Sequence, residues 1–350
     1  MSSFFTNIIN KYFIINFLFS SLIISFIAGN LVLNLNVILI IVFTVLFYSK
    51  KIIQLEFDLF DKILIFLFSY ILICGFFNNL SYYKNEDVSN FTVLIKSIFF
   101  LRFIIFYFIL KFLIKEDIIN FKFFFITSFI SVTFVCLDII YQLIVGRDIL
   151  GYVSTGRRLS GPFGDELIAG SYIQRFSIIA LFLFPIFFKF KKNYTKNLFT
   201  VFFVILFFVS LILTGNRIPL TFFILMIIGI TLFEQKLRKF LLPCLLIVSA
   251  IIFLVYNFSD NYRNHFHSYG EKVIQILMPF SSRNIISADE EKKYENYEFY
   301  TYEYKGKKYK MRNSHLKEFK TGYVTWLDKK IFGGGVKSFK INCPKAKTIN

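Results

Sequence analysis

The stretch FFFITSFISVTFVCLDIIYQLIV, residues 123–145, sets the fold class of this chain. Asp138 is its single charged residue, and the stretch is long enough for one helix to cross about 30 Å of hydrocarbon. A strand of a membrane barrel would instead show segments of about ten residues with alternating polarity. The stretch therefore predicts a transmembrane helix.

Similar apolar runs repeat along most of the chain, which is 56% hydrophobic and contains 51 Phe among 350 residues. That apolar content exceeds what a soluble core of this size needs. The runs predict about nine transmembrane helices, near 12–29, 31–49, 58–77, 91–114, 123–145, 167–188, 197–213, 217–233 and 240–257. We therefore predict an all-α polytopic membrane protein with a helical bundle over 1–257.

Residues 258–350 contain no apolar run of spanning length and are predicted to form a soluble segment. The pattern of 259–279 predicts an amphipathic helix. The sequence EFYTYEYKGKKYKM, residues 298–311, predicts a β-hairpin. A second helix is expected to follow Asn313 or Ser314 as its N-cap.

The basic residues predict the orientation of the bundle. With the N-terminus in the cytoplasm, thirteen fall on the inside, namely Lys11, Lys50, Lys51, Lys111, Lys115, Lys122, Lys189, Lys191, Lys192, Lys196, Lys236, Arg238 and Lys239. Five fall in the outside loops, namely Lys84, Arg147, Arg157, Arg158 and Arg217. The excess of Lys and Arg marks the cytoplasmic side, which places 258–350 in the periplasm. This placement accounts for most of the formal charge of +18 without a nucleic-acid partner.

Four of the five outside charges are arginine, whereas the inside set is almost entirely lysine. The planar guanidinium suits bidentate binding of phosphate or carboxylate, which a lysine cannot reproduce. The outside face is therefore a candidate anion site. The alternative is that these arginines pair with Asp148, Asp165 or Glu166 and fix the loop, and the spacing leaves both interpretations open.

The charged residues inside the predicted spans include Arg102, Asp138 and Arg175. Each costs about 2.5–3.5 kcal/mol at the centre of a membrane helix on insertion scales, so each should face protein or water. They either pair with one another or line a cavity for a charged headgroup.

The sequence contains few residues that could form disulfides or bind a metal. Three cysteines lie within apolar runs and Cys343 stands alone, so no disulfide framework or CxxC site is expected. His265 and His267 have no Cys, Asp or Glu at ligand spacing, and there is no DxD pair. We therefore expect no metal and no cofactor.

Four stretches together resemble the O-antigen ligase and polymerase family of membrane glycosyltransferases. They are DIIYQLIVGRDILGY (138–152), GRRLSGPFGDELIAGSY (156–172), LTGNRIPL (213–220) and HLKEFKTGYVTWLDKKIFGGGVKSF (315–339). Members of this family move a glycan from an undecaprenyl-pyrophosphate carrier on the outer side of the bacterial cytoplasmic membrane. The resemblance covers most of the chain, although each stretch is loosely defined by itself.

The resemblance implies a metal-independent transfer, with outward arginines that grip the pyrophosphate of the lipid-linked donor. On the family pattern, Arg158 and Arg217 are the matching positions, with Arg157 as a neighbour. The implied acceptor is a glycan, a lipid A-core oligosaccharide or a protein. An already lipid-linked donor also agrees with the missing DxD pair.

The chain departs from the family pattern after the FGGGVKSF segment. The family loop continues to a His-Asn element and further spans, so we expect either a fragment or a truncated relative. The catalytic His is unassigned, and His315 is only a weak candidate. A transporter or flippase for a lipid-linked anionic glycan would also need arginines in a membrane cavity, although no repeated half is visible. A membrane scaffold whose tail binds anionic partners is a third interpretation.

Overall fold

The computed structural model describes residues 2–83, 92–153, 158–187, 193–233 and 235–258. It also describes short pieces of the C-terminal part, at 300–304, 307–311, 322–323, 326–327, 330, 333 and 335. The amphipathic helix predicted over 259–279 lies outside these residues.

Ten α-helices occupy the described residues up to position 258. They are α1 (Ser2–Ile27), α2 (Asn30–Ile52), α3 (Leu59–Tyr83), α4 (Thr92–Phe100), α5 (Arg102–Lys115), α6 (Phe121–Val145), α7 (Ala169–Phe187), α8 (Asn193–Leu213), α9 (Arg217–Phe233) and α10 (Gln235–Phe258). Each predicted apolar run coincides with helix, so the helical fold class is confirmed. The run at 91–114 differs from the prediction because a turn at Leu101 divides it into α4 and α5.

Within the part of the chain that the structure describes, four helical segments are long and apolar enough to cross a membrane. They are Asn30–Ile52, Leu59–Asn78, Val93–Lys115 and Phe121–Val145. Shorter apolar helices cover Lys11–Ile27, Asn197–Leu213, Arg217–Phe233 and Leu241–Ile251. Many of their large apolar side chains are exposed, which lipid would cover. These features indicate a helical membrane protein.

The chain divides into two compact units. The first unit comprises Met1–Gln54 and Ile109–Arg263, and the second comprises Leu55–Phe108 and Asn264–Asn350. The boundary within α5 falls between Phe108 and Ile109. The division predicted from the sequence, a bundle over 1–257 and a polar segment over 258–350, stays a prediction.

In the first unit, α6 packs against α1, α7 and α8. Its buried residues Cys136 and Ile139 meet Ile173 of α7 and the fully buried Phe207 and Phe208 of α8 in one apolar core. The hydrophobic effect does not drive helices together in a membrane, because lipid tails are as apolar as the core itself. Close packing of this kind holds them together instead. The core fixes α6 as the central helix of the unit.

Hydrogen bonds between segments add to this packing. The Asn16 amide donates to the carbonyl of Ile118 at 2.9 Å, and the Tyr172 hydroxyl donates to the carbonyl of Ile23 at 3.1 Å. Such bonds contribute about 0.6 kcal/mol each in membrane bundles. The first bond links α1 to the turn between α5 and α6, and the second links α1 to α7.

In the second unit, a capping box begins α3. The backbone N–H of Asp61 donates to Asp58 Oδ1 at 2.9 Å, and that of Asp58 donates to Asp61 Oδ2 at 2.8 Å. At the other end of α3, Asn78 donates to the carbonyl of Gly333 at 3.0 Å. Gly335 has φ +83°, and a Cβ there would lie 2.5 Å from Val93 Cγ1. Only glycine fits at position 335, where the backbone lies close to α4.

The predicted hairpin is present as β1 (Tyr300–Tyr304) and β2 (Lys307–Met311), which pair antiparallel with Tyr304 opposite Lys307. Of the second predicted tail helix, 322–323 and 326–327 are described and are helical. The rings of Tyr323 and Trp326 lie 5.7 Å apart.

Candidate functional site

A short loop after α6 is closed on itself by backbone and side-chain bonds. Gly146 is the C-cap residue of α6. It has φ +85°, and its N–H donates to the carbonyl of Gln142. The Asp148 N–H donates to the carbonyl of Tyr152 at 3.0 Å, and the Tyr152 N–H donates to Asp148 Oδ1 at 2.6 Å. These bonds give the 147–153 loop a defined shape.

Two polar side chains of α6 hold the loop against the helix. Asp138 Oδ1 accepts from the N–H of Ile149 at 2.9 Å. Gln142 Nε2 donates to the carbonyl of Tyr152 at 3.4 Å, and its Oε1 accepts from the N–H of Gly161 at 3.0 Å. Asp138 and Gln142 are four residues apart, so they share one face of the helix. This face is where the loop attaches to the bundle.

The segment after Arg158 uses glycine to pack closely on that attachment. Gly161 has φ +54°, and a Cβ there would lie 3.0 Å from Ile139 Cγ1. Gly164 has φ +61°, and a Cβ there would lie 3.2 Å from the ring of Tyr152. A 3₁₀ turn, Gly161–Phe163, lies between them and contains Pro162. The RLSGPFG sequence, residues 158–164, thus encodes a compact turn.

The same segment is joined to the turn between α8 and α9. The Leu159 N–H donates to the carbonyl of Leu213 at 3.4 Å, and the Asn216 amide donates to the carbonyl of Leu167 at 3.0 Å. A Cβ on Gly170 would lie 2.7 Å from Thr214 Oγ1. The Arg158 segment and the turn between α8 and α9 are therefore in direct contact.

Arg217 is the half-buried first residue of α9. The carbonyl of Asn216 accepts the first helical bond, from Leu220 at 3.3 Å, so Asn216 is the N-cap residue. The N-terminus of a helix carries partial positive charge, and a cation there is unfavourable unless an anion is near. The first turn of α9 has no acidic residue. Arg217 thus lies at the N-terminus of α9, directly after the residue whose side chain bonds to Leu167.

Arg158 is half-buried and lies next to Leu159 at the contact with the α8–α9 turn. Within the described part of the chain, it forms no ion pair with Asp148, Asp165 or Glu166. Asp165 and Glu166 are exposed. The salt-bridge interpretation of Arg158 thus has no support in these residues.

The charged residues singled out inside the predicted spans belong to two different units. Asp138 is fully buried and binds the 147–153 loop. Arg175 is exposed on α7. Arg102 belongs to the second unit, where its guanidinium lies 4.8 Å from the centroid of the Phe103 ring. Among the described residues, Asp138 and Arg175 form no ion pair with each other. Arg157 and His315 lie outside the described residues.

Sequence reasoning missed three positioning residues, Gln142, Asn216 and Gly170. Asn216 stands inside the TGNR motif and Gln142 lies four residues after Asp138, so both had a local signal. Gly170 had no local signal, because nothing in a helical sequence shows which of its residues another segment approaches closely.

No known protein family, curated protein or solved structure matches this chain.

Proposed function

We propose that this protein transfers a glycan from undecaprenyl pyrophosphate to an acceptor at the periplasmic face of the bacterial cytoplasmic membrane. The observation that carries the proposal is the contact between the Arg158 segment and the Arg217 segment through Leu159–Leu213 and Asn216–Leu167. Those two arginines were selected by sequence resemblance. A binding site for pyrophosphate needs more than one cationic group. The contact joins the two segments that carry these arginines, as such a site requires.

Helix ends add to the electrostatic argument. Both α7 and α9 begin at this contact, at Ala169 and Arg217, and neither has an acidic residue in its first turn. The orphan N–H groups of two helix N-termini favour a negatively charged ligand. Together with the two guanidinium groups, they would stabilise the charge of the leaving pyrophosphate.

The proposed topology has nine spans, a cytoplasmic N-terminus and a periplasmic segment from 258 onwards. In that topology, the Arg158 loop and the Arg217 turn are both periplasmic. Their direct contact supports the placement of both segments on the same side of the membrane. On the opposite face, Lys51 and Glu116 form an ion pair of 2.7 Å, and both belong to segments that the topology places in the cytoplasm.

In the proposed reaction, an acceptor hydroxyl attacks the anomeric carbon of the donor sugar with inversion. The new bond joins the acceptor oxygen to that carbon, and the bond from the carbon to the pyrophosphate oxygen breaks. Undecaprenyl pyrophosphate leaves with the bonding electron pair, and Arg158 and Arg217 neutralise its charge. The hydroxyl proton passes to a general base, for which His315 is the weak candidate of the sequence. No metal takes part in this chemistry.

The decisive experiment combines the purified protein in lipid vesicles with an undecaprenyl-pyrophosphate-linked glycan. Separate arms add lipid A-core, a second lipid-linked glycan or a protein acceptor. Glycan on one acceptor and release of undecaprenyl pyrophosphate are the expected results, and the acceptor that is modified identifies the subclass. The Arg158→Ala variant, which removes one of the two proposed pyrophosphate-binding arginines, is measured in the same assay.

The same vesicles test the rival function. A transporter or flippase would move the lipid-linked glycan between leaflets and leave every acceptor unmodified. Protection of the glycan from an external glycosidase reports that movement. Movement without transfer would replace the proposed function by transport.

A further inference from the structure

The tail, residues 258–350, exposes three large apolar side chains on one helix face. Tyr323, Trp326 and Leu327 are 53%, 47% and 38% exposed, and all three residues are helical. Side chains three and four positions apart share a face of a helix, and the rings of Tyr323 and Trp326 lie 5.7 Å apart. An exposed apolar patch of this kind marks an interaction surface. We call these three residues the aromatic face.

The chain that follows the aromatic face is fixed to α3 and α4, which belong to the same compact unit. Asn78, near the end of α3, donates to the carbonyl of Gly333 at 3.0 Å. A Cβ on Gly335 would lie 2.5 Å from Val93 Cγ1 of α4 and 4.0 Å from the Cα of Gly75 of α3. Asn78 and Val93 are both buried. Residues 333 and 335 therefore pack against the end of α3 and the start of α4.

These helix ends mark the membrane boundary. The candidate spans are Leu59–Asn78 and Val93–Lys115, so the two residues that hold the glycine segment are also the last and the first residues of spans. At such positions the hydrocarbon core gives way to the headgroup region. Leu327 precedes Gly333 by six residues, which reach at most about 22 Å. The aromatic face is thus tethered close to the membrane surface.

The chemistry of the aromatic face suits the interfacial layer of a bilayer. Trp and Tyr are enriched there because each joins an apolar ring to a polar N–H or O–H. Lys330, three positions after Leu327, is exposed, and a lysine keeps its ammonium among headgroups while its carbon chain covers apolar surface. Residues 315–340 contain six lysines and two acidic residues, and this excess of positive charge attracts anionic headgroups. Both the apolar and the charged side chains therefore have partners in a lipid surface.

A bound glycan fits the aromatic face less well. Sugar rings stack on aromatic rings, but Leu327 offers a sugar neither a ring nor a hydrogen bond. The rings of Tyr323 and Trp326 are also tilted by 34° to each other, so they do not form one flat platform. A neutral glycan would gain nothing from the lysine excess.

We propose that the aromatic face lies in the headgroup–acyl boundary of the bilayer and holds the tail against the membrane beside α3 and α4. The inference does not rest on the proposed function, because it requires neither a glycan nor its transfer. It also holds for either orientation of the protein, since the face follows the ends of its own two helices. In the proposed topology, this surface is the periplasmic one.

Trp326 is the only tryptophan of the chain, so the tryptophan fluorescence of the whole protein reports on this face alone. The purified protein is placed in bilayer discs of phosphatidylcholine that carry bromine atoms, which quench fluorescence, either near the headgroup or near the chain ends. We expect quenching at least twofold stronger from the shallow bromines. Iodide in the water should quench Trp326 less than it does in the protein unfolded in guanidinium.

Two variants separate insertion into the bilayer from proximity to the spans. Leu327→Asp keeps the reporter but places a charge on the aromatic face, and it should reduce quenching by the shallow bromines at least twofold. At a constant fraction of brominated lipid, adding phosphatidylglycerol should strengthen the shallow quenching of the wild type. Lys330→Gln should reduce that increase, whereas Lys347→Gln, the same charge change later in the tail, should keep it.

Wild-type quenching is measured first, so that a folding defect in a variant cannot hide the answer. Full quenching by iodide without depth-dependent quenching by bromine overturns the proposal, as does unchanged bromine quenching in Leu327→Asp. Equal loss of the phosphatidylglycerol effect in both lysine variants rejects the role of Lys330. If protection from iodide appears only when an undecaprenyl-pyrophosphate-linked glycan is added, the face binds glycan and the membrane contact is rejected.

Discussion

The side-chain amide of Asn216 donates a hydrogen bond of 3.0 Å to the backbone carbonyl of Leu167, 49 positions earlier in the chain. This bond connects the residue before Arg217 with the segment that follows Arg158. The position of each arginine therefore depends on the other segment.

Asn216→Ala should lower the free energy of unfolding by about 1 kcal/mol, because the carbonyl of Leu167 loses its donor. Glycan transfer should fall by more than this stability change explains, since Arg217 is adjacent. Thermal unfolding in detergent and the vesicle assay measure the two effects. Asn257→Ala removes an exposed bond within one helix, to the carbonyl of Phe253, and should change neither. Equal effects of the two variants would contradict the prediction.

Gly170→Ala should destabilise the protein by about 1–3 kcal/mol through overpacking. The new Cβ would lie 2.7 Å from Thr214 Oγ1 and 2.8 Å from Asn216 Cβ, which are closer than real carbon contacts allow. Gly229→Ala is the matched control on α9, because nothing lies within 4 Å of its Cβ position. That control should be neutral or stabilising by up to about 1 kcal/mol. If both variants unfold at the wild-type temperature, α7 does not approach the α8–α9 turn as closely as described.

Arg217→Lys should abolish glycan transfer while the amount of protein in the membrane stays normal. Lysine keeps the positive charge but cannot make the bidentate bonds of a guanidinium to phosphate. Complementation by the full-length reading frame, with a membrane immunoblot, measures both quantities. Full activity of the Lys variant would reject the bidentate role, and loss of protein would indicate a structural role.

Arg158→Ala should weaken binding of undecaprenyl pyrophosphate and leave the stability of the ligand-free protein within about 0.5 kcal/mol of wild type. The reason is that Arg158 forms no ion pair with the acidic residues of the described loop. Lipid binding and thermal unfolding without ligand are the two measurements. Asp165→Ala is the control and should leave both unchanged. A similar small loss of stability in both variants, with normal lipid binding, would show that Arg158 only fixes the loop.

Reporter fusions after Lys51, Lys192 and Lys239 should report the cytoplasm, and a fusion after Asn264 should report the periplasm. The expectation follows from the excess of basic residues on one side. Paired alkaline phosphatase and fluorescent protein fusions give opposite signals on the two sides, which controls for expression. A cytoplasmic signal at Asn264 would remove the basis for placing the arginine segments outside.

Helix positions were accessible from the sequence, since long apolar runs are local patterns. The choice of Arg158 and Arg217 came from the family resemblance and stays a prediction. The pairing of Gln142 with Gly161 was not accessible, because it depends on how the loop folds back onto α6. The break at Leu101 was also missed, because no proline or glycine marks it in the sequence.

The sequence by itself determined that this is a helical membrane protein, because a run such as 123–145 is stable only where lipid or protein replaces water. It also determined which side chains could hold an anion, through their chemistry. Only the tertiary structure decided that Leu159 meets Leu213 and that Asp138 meets the Asp148 loop. Such contacts join segments that are distant in the chain, and they depend on the close packing of whole helices rather than on any local pattern.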